Sequence, residues 1–242
     1  MFLCATQNKL IKTFTTRELA QSQLLVKFKH MKIKTFVFSP FSENTYVVWD
    51  GTRECIIIDP GCYDKYEQNI LLTFLKEKKL KPVKLLNTHC HIDHIFGNKF
   101  VTDTFNLPAE AHVTENSNIQ YSADKAILFG VKMEAPYPVT NFINENDTIK
   151  FGNSELKIMH VPGHTEGSLI FHNEDEKFAI VGDVLFNQSI GRTDLPGGNY
   201  ETLIEGIRTK LYKLAPETVV YSGHGETTTI GNEQRNNPFV RL

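Results

Sequence analysis

The sequence predicts an α/β protein in which a sheet is covered by helices. From Met31 onward, short β-branched or apolar runs alternate with turn residues, and two longer segments between them have helical periodicity. Several apolar runs are continuous rather than alternating, as in strands that are buried on both faces of a sheet. The length of 242 residues fits one large α/β domain.

Seven segments are predicted to be strands because they are short, rich in β-branched or apolar residues and bounded by turn residues. They span residues 33–38, 46–49, 55–58, 83–86, 156–161, 178–181 and 218–221. Four of the strand ends run into a small or polar turn that carries a possible metal ligand, in LLNTHCHIDH, IMHVPGHTEGS, AIVGDVLF and VVYSGHGE. The chemistry is therefore expected at strand ends, where loops from a rigid sheet converge on one crevice.

Two segments are predicted to be helices that cover the sheet. Residues 65–79 have an apolar side and carry lysines at the C-terminal end, where the helix dipole favours positive charge. Residues 200–214 place leucine and isoleucine on one face and follow Asn199, a residue type that caps helix N-termini. Residues 116–142 are the least regular stretch, and we expect a surface excursion there beside the active site.

The composition indicates a globular protein and disfavours two kinds of partner. Hydrophobic residues make up 40% of the chain and charged residues 22%, which is enough material for a packed core. The 26 basic and 28 acidic residues give a net charge of -2, so no strong field favours nucleic acid. No apolar run approaches the ~20 residues of a membrane span, so no membrane partner is expected. The four cysteines form no CxxC pair and favour a reducing, cytoplasmic location.

The first thirty residues differ from the remainder of the chain. They contain five basic residues against the single acid Glu18 and show weak periodicity. These residues fit either a targeting segment or a start codon assigned upstream of the true start at Met31. Because the segment lacks the apolar centre and cleavage site of a secretory signal, we favour the second alternative. We therefore divide the chain into an N-terminal extension of doubtful status over residues 1–30 and a catalytic domain over residues 31–242.

The strongest functional signal is a cluster of possible metal ligands directly after the predicted strand 83–86. His89, His91, Asp93 and His94 lie within six residues of one another. Such groups are mostly exposed, and they crowd one turn unfavourably unless an ion neutralises them. Because a loop directs side chains in different directions, two pairs serving two adjacent ions are sterically easier than four ligands on one ion.

Three further candidate ligands follow other predicted strands: His164, Asp183 and His224. Each alone also fits a structural histidine or an ordinary turn. Together with the first cluster they supply five imidazoles and two carboxylates. That set suits two divalent ions with a shared carboxylate and an open position for water. Zinc is the expected metal, with iron or manganese as alternatives.

These motifs together resemble the metallo-β-lactamase fold superfamily. HCHIDH, PGHTEGS, the Gly-Asp pair at Asp183 and the GHG at His224 carry the resemblance, which covers essentially Met31 to the C-terminus. It implies a four-layer αββα sandwich of two similar halves with the metals at one edge. The segments 183–198 and 223–239 are similar to the short bacterial glyoxalase II-like, or hydroxyacylglutathione hydrolase-like, proteins.

The resemblance also implies a role for each candidate ligand. The first metal would lie among His89, His91 and His164, the second among Asp93, His94 and His224, with Asp183 as the bridge. The implied reaction is hydrolysis of a thioester such as lactoylglutathione by a hydroxide that bridges the metals. In that reaction Asp93 would orient the hydroxide and Asp183 would set the spacing of the ions, so these two are the candidate catalytic residues.

Two details refine the resemblance. Asp183 stands where one large group of true lactamases has cysteine, which resembles the hydrolase branch instead. Only 18 residues follow His224, whereas full-length glyoxalase II enzymes carry a C-terminal helical domain that holds glutathione. The resemblance therefore implies a small-molecule thioester substrate and leaves the thiol carrier open.

A few residues outside the ligand set are candidates for supporting it. Asp59, at a predicted strand end, could fix a ligand imidazole through a hydrogen bond, although an Asp-Pro-Gly turn explains it equally well. Arg192 and Asp194 could contact the substrate or form a structural ion pair behind the metals, and we favour the ion pair. Asn44 and Tyr46 could line the entrance to the site or simply begin a strand.

Three other functions fit parts of the pattern. Persulfide dioxygenases of the same fold use a single iron at positions matching His89, His164 and Asp183, and these ligand types suit iron as well as zinc. The stretch SIGRTDLPGG is closer to the hydrolases. A nuclease of the superfamily is disfavoured by the charge balance. A non-catalytic binding protein is disfavoured by the complete ligand set, because a scaffold needs no open coordination position.

Overall fold

The computed structural model describes residues 30–241, so the predicted N-terminal extension over residues 1–30 lies outside the described residues except for His30. Within this range the chain forms fourteen strands, six α-helices and three short 3-10 helices. None of the helices in residues 30–241 has the length and apolar character needed to cross a membrane.

The element bounds are as follows. The strands are β1 (Lys32–Phe38), β2 (Glu43–Trp49), β3 (Glu54–Ile58), β4 (Lys81–Leu86), β5 (Ala109–Ala111), β6 (Asn141–Phe142), β7 (Thr148–Phe151), β8 (Ser154–His160), β9 (Leu169–Asn173), β10 (Phe178–Gly182), β11 (Leu185–Phe186), β12 (Ser189–Ile190), β13 (Val219–Ser222) and β14 (Thr228–Thr229). The α-helices are α1 (Lys65–Lys78), α2 (Asn98–Phe105), α3 (Asn116–Gln120), α4 (Ser122–Leu128), α5 (Tyr200–Thr209) and α6 (Ile230–Asn236). The 3-10 helices span Ile92–His94, Val113–Glu115 and Leu211–Lys213.

The strands form two six-stranded sheets and a small hairpin of β11 and β12. The order is β1-β2-β3-β4-β5-β6 in the first sheet and β14-β13-β10-β9-β8-β7 in the second. Strands β1 to β3 are antiparallel and β3 to β6 are parallel. In the second sheet β10 and β13 are parallel and the other pairs are antiparallel. As a result, β8, β10 and β13 run in the same direction and end at the same edge.

Alternation of side chains along the strands produces separate hydrophobic cores. In β3, Ile56 and Ile58 lie in the core between the two sheets, whereas Cys55 and Ile57 lie in the core between the first sheet and α1. A third core joins α5 to the outer face of the second sheet. Helices therefore cover both outer faces. This arrangement confirms the predicted four-layer αββα sandwich.

The two predicted helices, α1 and α5, begin at the predicted residues, Lys65 and Tyr200. Asn199 caps α5, because its side chain accepts a hydrogen bond from the Thr202 amide at 2.9 Å. This helix is shorter than predicted. It ends at Thr209, and a 3-10 helix over Leu211–Lys213 follows after Lys210, whose φ is -115° and whose ammonium binds the Glu145 carboxylate at 2.6 Å.

Candidate metal centre

All seven candidate ligands lie at one edge of the sandwich, in loops that follow strands. Four of them, His89, His91, Asp93 and His94, follow β4, and the other three, His164, Asp183 and His224, follow β8, β10 and β13. The shared direction of these last three strands delivers their loops to one place. The first sheet meets them there, since the Leu169 amide donates to the Thr88 carbonyl at 2.8 Å.

Three imidazoles form the first group. His164 Nε2 lies 3.2 Å from His89 Nε2 and 2.9 Å from His91 Nδ1. The ligand atoms of the three rings all lie within 4.8 Å of one another. His164 Nδ1 lies 2.8 Å from the Arg192 carbonyl oxygen. Because that oxygen only accepts, Nδ1 carries the proton and Nε2 presents its lone pair to the group.

The second group consists of Asp93, His94 and His224. His224 Nε2 lies 3.2 Å from Asp93 Oδ2, and His94 Nε2 lies 4.0 Å from the same oxygen. The three ligand atoms again lie within 4.8 Å of one another. His224 Nδ1 donates to the Phe41 carbonyl at 3.2 Å, which directs Nε2 toward the group.

Asp183 lies between the two groups. Its Oδ2 is 3.6 Å from His164 Nε2 and 3.7 Å from His224 Nε2, and its Oδ1 is 3.4 Å from His94 Nε2. This position depends on Gly223, because a Cβ atom there would lie 2.1 Å from Asp183 Oδ1. One carboxylate therefore faces ligand atoms of both groups.

Asp59 lies behind His94 and does more than form a turn. Its Oδ2 is 3.1 Å from His94 Nδ1, and its Oδ1 accepts the Thr88 amide hydrogen bond at 2.7 Å. A carboxylate oxygen accepts, so His94 Nδ1 carries a proton and Nε2 faces Asp183. Asp59, His89 and His94 also form a third possible ligand grouping.

Burial and charge divide the site into two electrostatic environments. Burial lowers the pKa of His89 well below its usual value, and burial with a neighbouring imidazole lowers the pKa of His91 to about 3. Burial also opposes the charged form of His94. The carboxylates of Asp183 and Asp93 outweigh this effect of burial and raise the pKa of His94 well above its usual value. The same pairing keeps the pKa of Asp183 below its usual range despite burial. His89 and His91 are therefore neutral, whereas the second group is a network of opposite charges.

The donor set at the centre fits divalent metal ions. Among the described residues, His94 Nε2 and Asp183 Oδ1 are buried and have no hydrogen-bond partner. Buried polar atoms are nearly always paired, so two unpaired atoms facing one region point to a missing partner. Imidazole nitrogens and carboxylate oxygens are ligands that zinc, iron and manganese accept.

A cavity of about 480 Å³ opens over the site. Its floor contains five of the candidate ligands, and its walls are largely apolar, formed by Phe41, Ile92, Leu128, Phe129, Leu195 and Pro196. Helix α4 and the residue after it supply part of this wall and also Lys125. The irregular stretch 116–142 thus lies beside the site, although the sequence did not identify which of its residues line the cavity.

The other proposed supporting residues have structural contacts. Arg192 and Asp194 form an exposed bidentate ion pair, in which both hydrogen bonds are 2.8 Å long. Arg192 also borders the cavity. Asn44 and Tyr46 do not line the entrance. Both donate a hydrogen bond to the Ser222 carbonyl, two residues before His224. They therefore hold the turn that carries this candidate ligand.

Glu43 is a buried neighbour of the site that sequence reasoning missed. Its side chain is fully buried, and its Oε1 lies 4.0 Å from His94 Nδ1. The Thr45 hydroxyl donates to its Oε2 at 2.9 Å. Burial raises the pKa of Glu43 well above its usual value. In the sequence it lies three residues before the predicted strand 46–49, and because glutamates are usually exposed, nothing local indicates its burial.

Comparison with known proteins identifies the family. The model of the metallo-beta-lactamase superfamily matches residues 39–224. The hydroxyacylglutathione hydrolase GloC of Haemophilus influenzae is 36% identical over 212 residues, which cover 87% of this chain and 98% of that protein. The crystal structure of the BLEG-1 B3 metallo-beta-lactamase matches with a TM-score of 0.79 and 35% identity, over 86% of this chain and 99% of its own. TTHA1623 in a di-iron-bound form matches with a TM-score of 0.76 and 32% identity, over 85% and 99%. The chain therefore belongs to the metallo-β-lactamase superfamily, as a metal-dependent hydrolase.

Proposed function

We propose that the protein is a dinuclear-metal hydrolase that cleaves a small-molecule thioester, an S-acyl thiol such as lactoylglutathione. The observation that carries the proposal is the pair of three-ligand groups that face each other across Asp183. The similarity to GloC, which is named a hydroxyacylglutathione hydrolase, extends over nearly the whole of that protein and supports the substrate class.

In this proposal the two groups hold one divalent ion each. His89, His91 and His164 hold the first, and Asp93, His94 and His224 hold the second, with Asp183 shared. When bound, two such ions supply an activated water and polarise the substrate carbonyl. Zinc is the proposed metal, and the di-iron-bound form of TTHA1623 supports iron as the second candidate.

The chain's own residues orient the reacting groups. Asp93 Oδ2, next to His224, is placed to accept a hydrogen bond from the attacking water. Asp59 and the Arg192 carbonyl fix the rings of His94 and His164. The apolar cavity wall excludes water from the acyl group, which strengthens electrostatic interactions at the carbonyl.

The reaction itself balances with water as the only co-reactant. The water oxygen bonds to the thioester carbonyl carbon, the carbon–sulfur bond breaks, and the departing thiolate takes up a proton. The products are a carboxylic acid and a free thiol. Lys125 on the cavity wall offers a positive charge for a carboxylate on the thiol carrier.

The test pairs metal analysis of the purified protein with a substrate panel. The panel contains lactoylglutathione, other S-acyl thiols, a β-lactam and glutathione persulfide. The β-lactam is included because BLEG-1 is named a B3 metallo-beta-lactamase. Oxygen consumption with the persulfide is followed with an oxygen electrode. We expect about two metal ions per chain and thiol release. One iron per chain with oxygen consumption, or turnover of the β-lactam alone, would refute the proposal.

A variant pair separates the site from the fold. Asp183→Ala removes the shared carboxylate and should abolish both bound metal and thioester hydrolysis. Asp175→Ala removes an exposed carboxylate in the turn between β9 and β10 and should keep both. Full activity in Asp183→Ala would contradict the assigned role.

A further inference from the structure

Glu115 is a buried carboxylate outside the proposed ligand set. It is the last residue of the 3-10 helix Val113–Glu115, and only 1% of its surface is exposed. Its two oxygens accept hydrogen bonds from three N–H groups. A buried carboxylate is costly unless its oxygens are paired, so these donors fix the side chain in one position.

Two of the three donors are backbone amides of the loops that carry the first ligand group. Glu115 Oε2 accepts from the Cys90 amide at 2.8 Å, and Oε1 accepts from the Gly167 amide at 3.0 Å. Cys90 lies between His89 and His91, and Gly167 comes three residues after His164. The third donor, the Asn118 side-chain amide, binds Oε2 at 2.9 Å. One carboxylate therefore joins two loops that come from different sheets.

We propose that Glu115 is a positioning residue for the first metal. By holding the Cys90 and Gly167 amides on opposite oxygens, it fixes the separation of the two loops at which three imidazole nitrogens converge. Loops need such ties, because a ligand set binds tightly only when its geometry exists before the ion arrives. The inference rests on the metal centre of the proposed function and is independent of its substrate.

Gly167 provides independent support from packing. A Cβ atom at this position would lie 2.6 Å from Glu115 Oε1 and 2.6 Å from Thr114 Oγ1. Gly167 is not one of the glycines with a positive φ among the described residues. The absence of a side chain therefore permits close approach to Glu115 and is not required by the backbone conformation. Gly167→Ala should therefore displace the carboxylate without changing its chemistry.

Glu115→Gln breaks the tie without changing the size of the side chain. A glutamine has one oxygen, so it can accept from Cys90 or from Gly167 but not from both on opposite atoms. Its amide nitrogen then faces a backbone N–H group, and two donors oppose each other. One loop is released, while every proposed ligand remains in the chain.

Asp50 offers a matched control at the other end of the sandwich. It is 3% exposed, and its two oxygens accept from the Thr52 and Asn153 amides at 2.9 and 2.7 Å, which also joins two loops. Glu43, next to the site, is the first residue of β2, and Asp50 comes directly after the last. The length of the strand therefore separates Asp50 from the site by roughly 20 Å. Asp50→Asn thus makes the same chemical change to a loop tie that is distant from the ligands.

The experiment is calorimetric titration of the metal-free proteins with Zn²⁺, with chemical denaturation of each variant. A His224→Ala background, which disables the second group, reports the first group alone. Glu115→Gln should raise the Kd of the first group roughly 10- to 100-fold, and Gly167→Ala should act in the same direction. Asp50→Asn should lose stability but keep the Kd within about twofold, as expected for a distant site.

Each outcome bears on the inference. Wild-type affinity in Glu115→Gln, or equal loss of affinity in Glu115→Gln and Asp50→Asn, would overturn it while leaving the proposed function intact. If Glu115→Gln does not fold, wild-type affinity in Gly167→Ala overturns it. Wild-type protein that binds no divalent metal would refute both the proposed function and this inference.

Discussion

Asp59 permits a substitution that changes one atom beside a proposed metal ligand. Its Oδ1 accepts the Thr88 amide hydrogen bond at 2.7 Å, and its Oδ2 lies 3.1 Å from His94 Nδ1. In Asp59→Asn, the side-chain oxygen must remain toward Thr88, because a backbone amide can only donate. The new amide nitrogen therefore takes the place of Oδ2 and faces His94.

This exchange is expected to reverse the tautomer of His94. In the wild type the carboxylate accepts from Nδ1–H, so Nε2 is the nitrogen that would lose its proton and bind a metal. The asparagine donates to Nδ1 instead, so the proton moves to Nε2, the atom that faces Asp183. The loss of such a partner costs roughly 10- to 100-fold in metal affinity, or about 1.4–2.7 kcal/mol. Asparagine also tolerates the left-handed backbone of Asp59, with φ 49°, better than alanine does.

The assay is Co²⁺ and Zn²⁺ titration of the metal-free variant, followed by thioester activity at increasing metal concentration. We expect the second ion to bind more weakly and excess metal to restore part of the activity. Asp64→Asn is the control, because it removes an exposed charge at the N-cap of α1 and keeps a capping side chain. Unchanged affinity for both ions in Asp59→Asn would refute the tautomer argument.

Three further predictions concern substrate contact, local stability and pH. Phe129→Ala removes an apolar wall of the cavity, and steady-state kinetics should show KM for a bulky apolar thioester rising about tenfold, about 1.4 kcal/mol, with little change in kcat. Asn199→Ala removes the cap of α5 and should lower the free energy of unfolding by about 1 kcal/mol in urea titrations. Burial opposes ionisation of Asp50, but hydrogen bonds led by those of Thr52 outweigh it and lower its pKa. The ionised carboxylate therefore stabilises the fold fully above the unfolded pKa of about 3.9, and below it the stability gap between wild type and Asp50→Asn should narrow.

Elements with strong local signals were predicted close to their observed bounds. The sequence predicts helix α1 over residues 65–79, and the helix spans Lys65–Lys78, because its apolar periodicity and C-terminal lysines are properties of the segment itself. Strand β9 was missed. Its run LIFHN directly follows PGHTEGS, whose proline, glycines and polar residues indicate a loop. Helix α2 was missed because so short a helix depends on packing, in this case of Val101, rather than on intrinsic propensity.

The candidate ligands could be predicted because each is a histidine or aspartate at the end of an apolar strand. That signal is local, and the strand directions then determine that the ends meet. The residues that support the ligands have no such signal. Glu115 contacts an amide 25 residues before it and another 52 residues after it. Only the folded arrangement of both sheets reveals these contacts, so a sequence in isolation shows Glu115 as one more surface glutamate.

The architecture explains how the chain tolerates an unsatisfied centre. Among the described residues, His94 Nε2 and Asp183 Oδ1 are buried without a hydrogen bond, and their attraction to each other across 3.4 Å only partly offsets the cost of burying them. The main hydrophobic cores lie between the sheets and beneath the outer helices, so their packing does not depend on the ligands. Small zinc domains, by contrast, fold only when the metal binds. The sandwich therefore stabilises the ligand loops in advance, and metal binding relieves the cost at the centre instead of creating the fold.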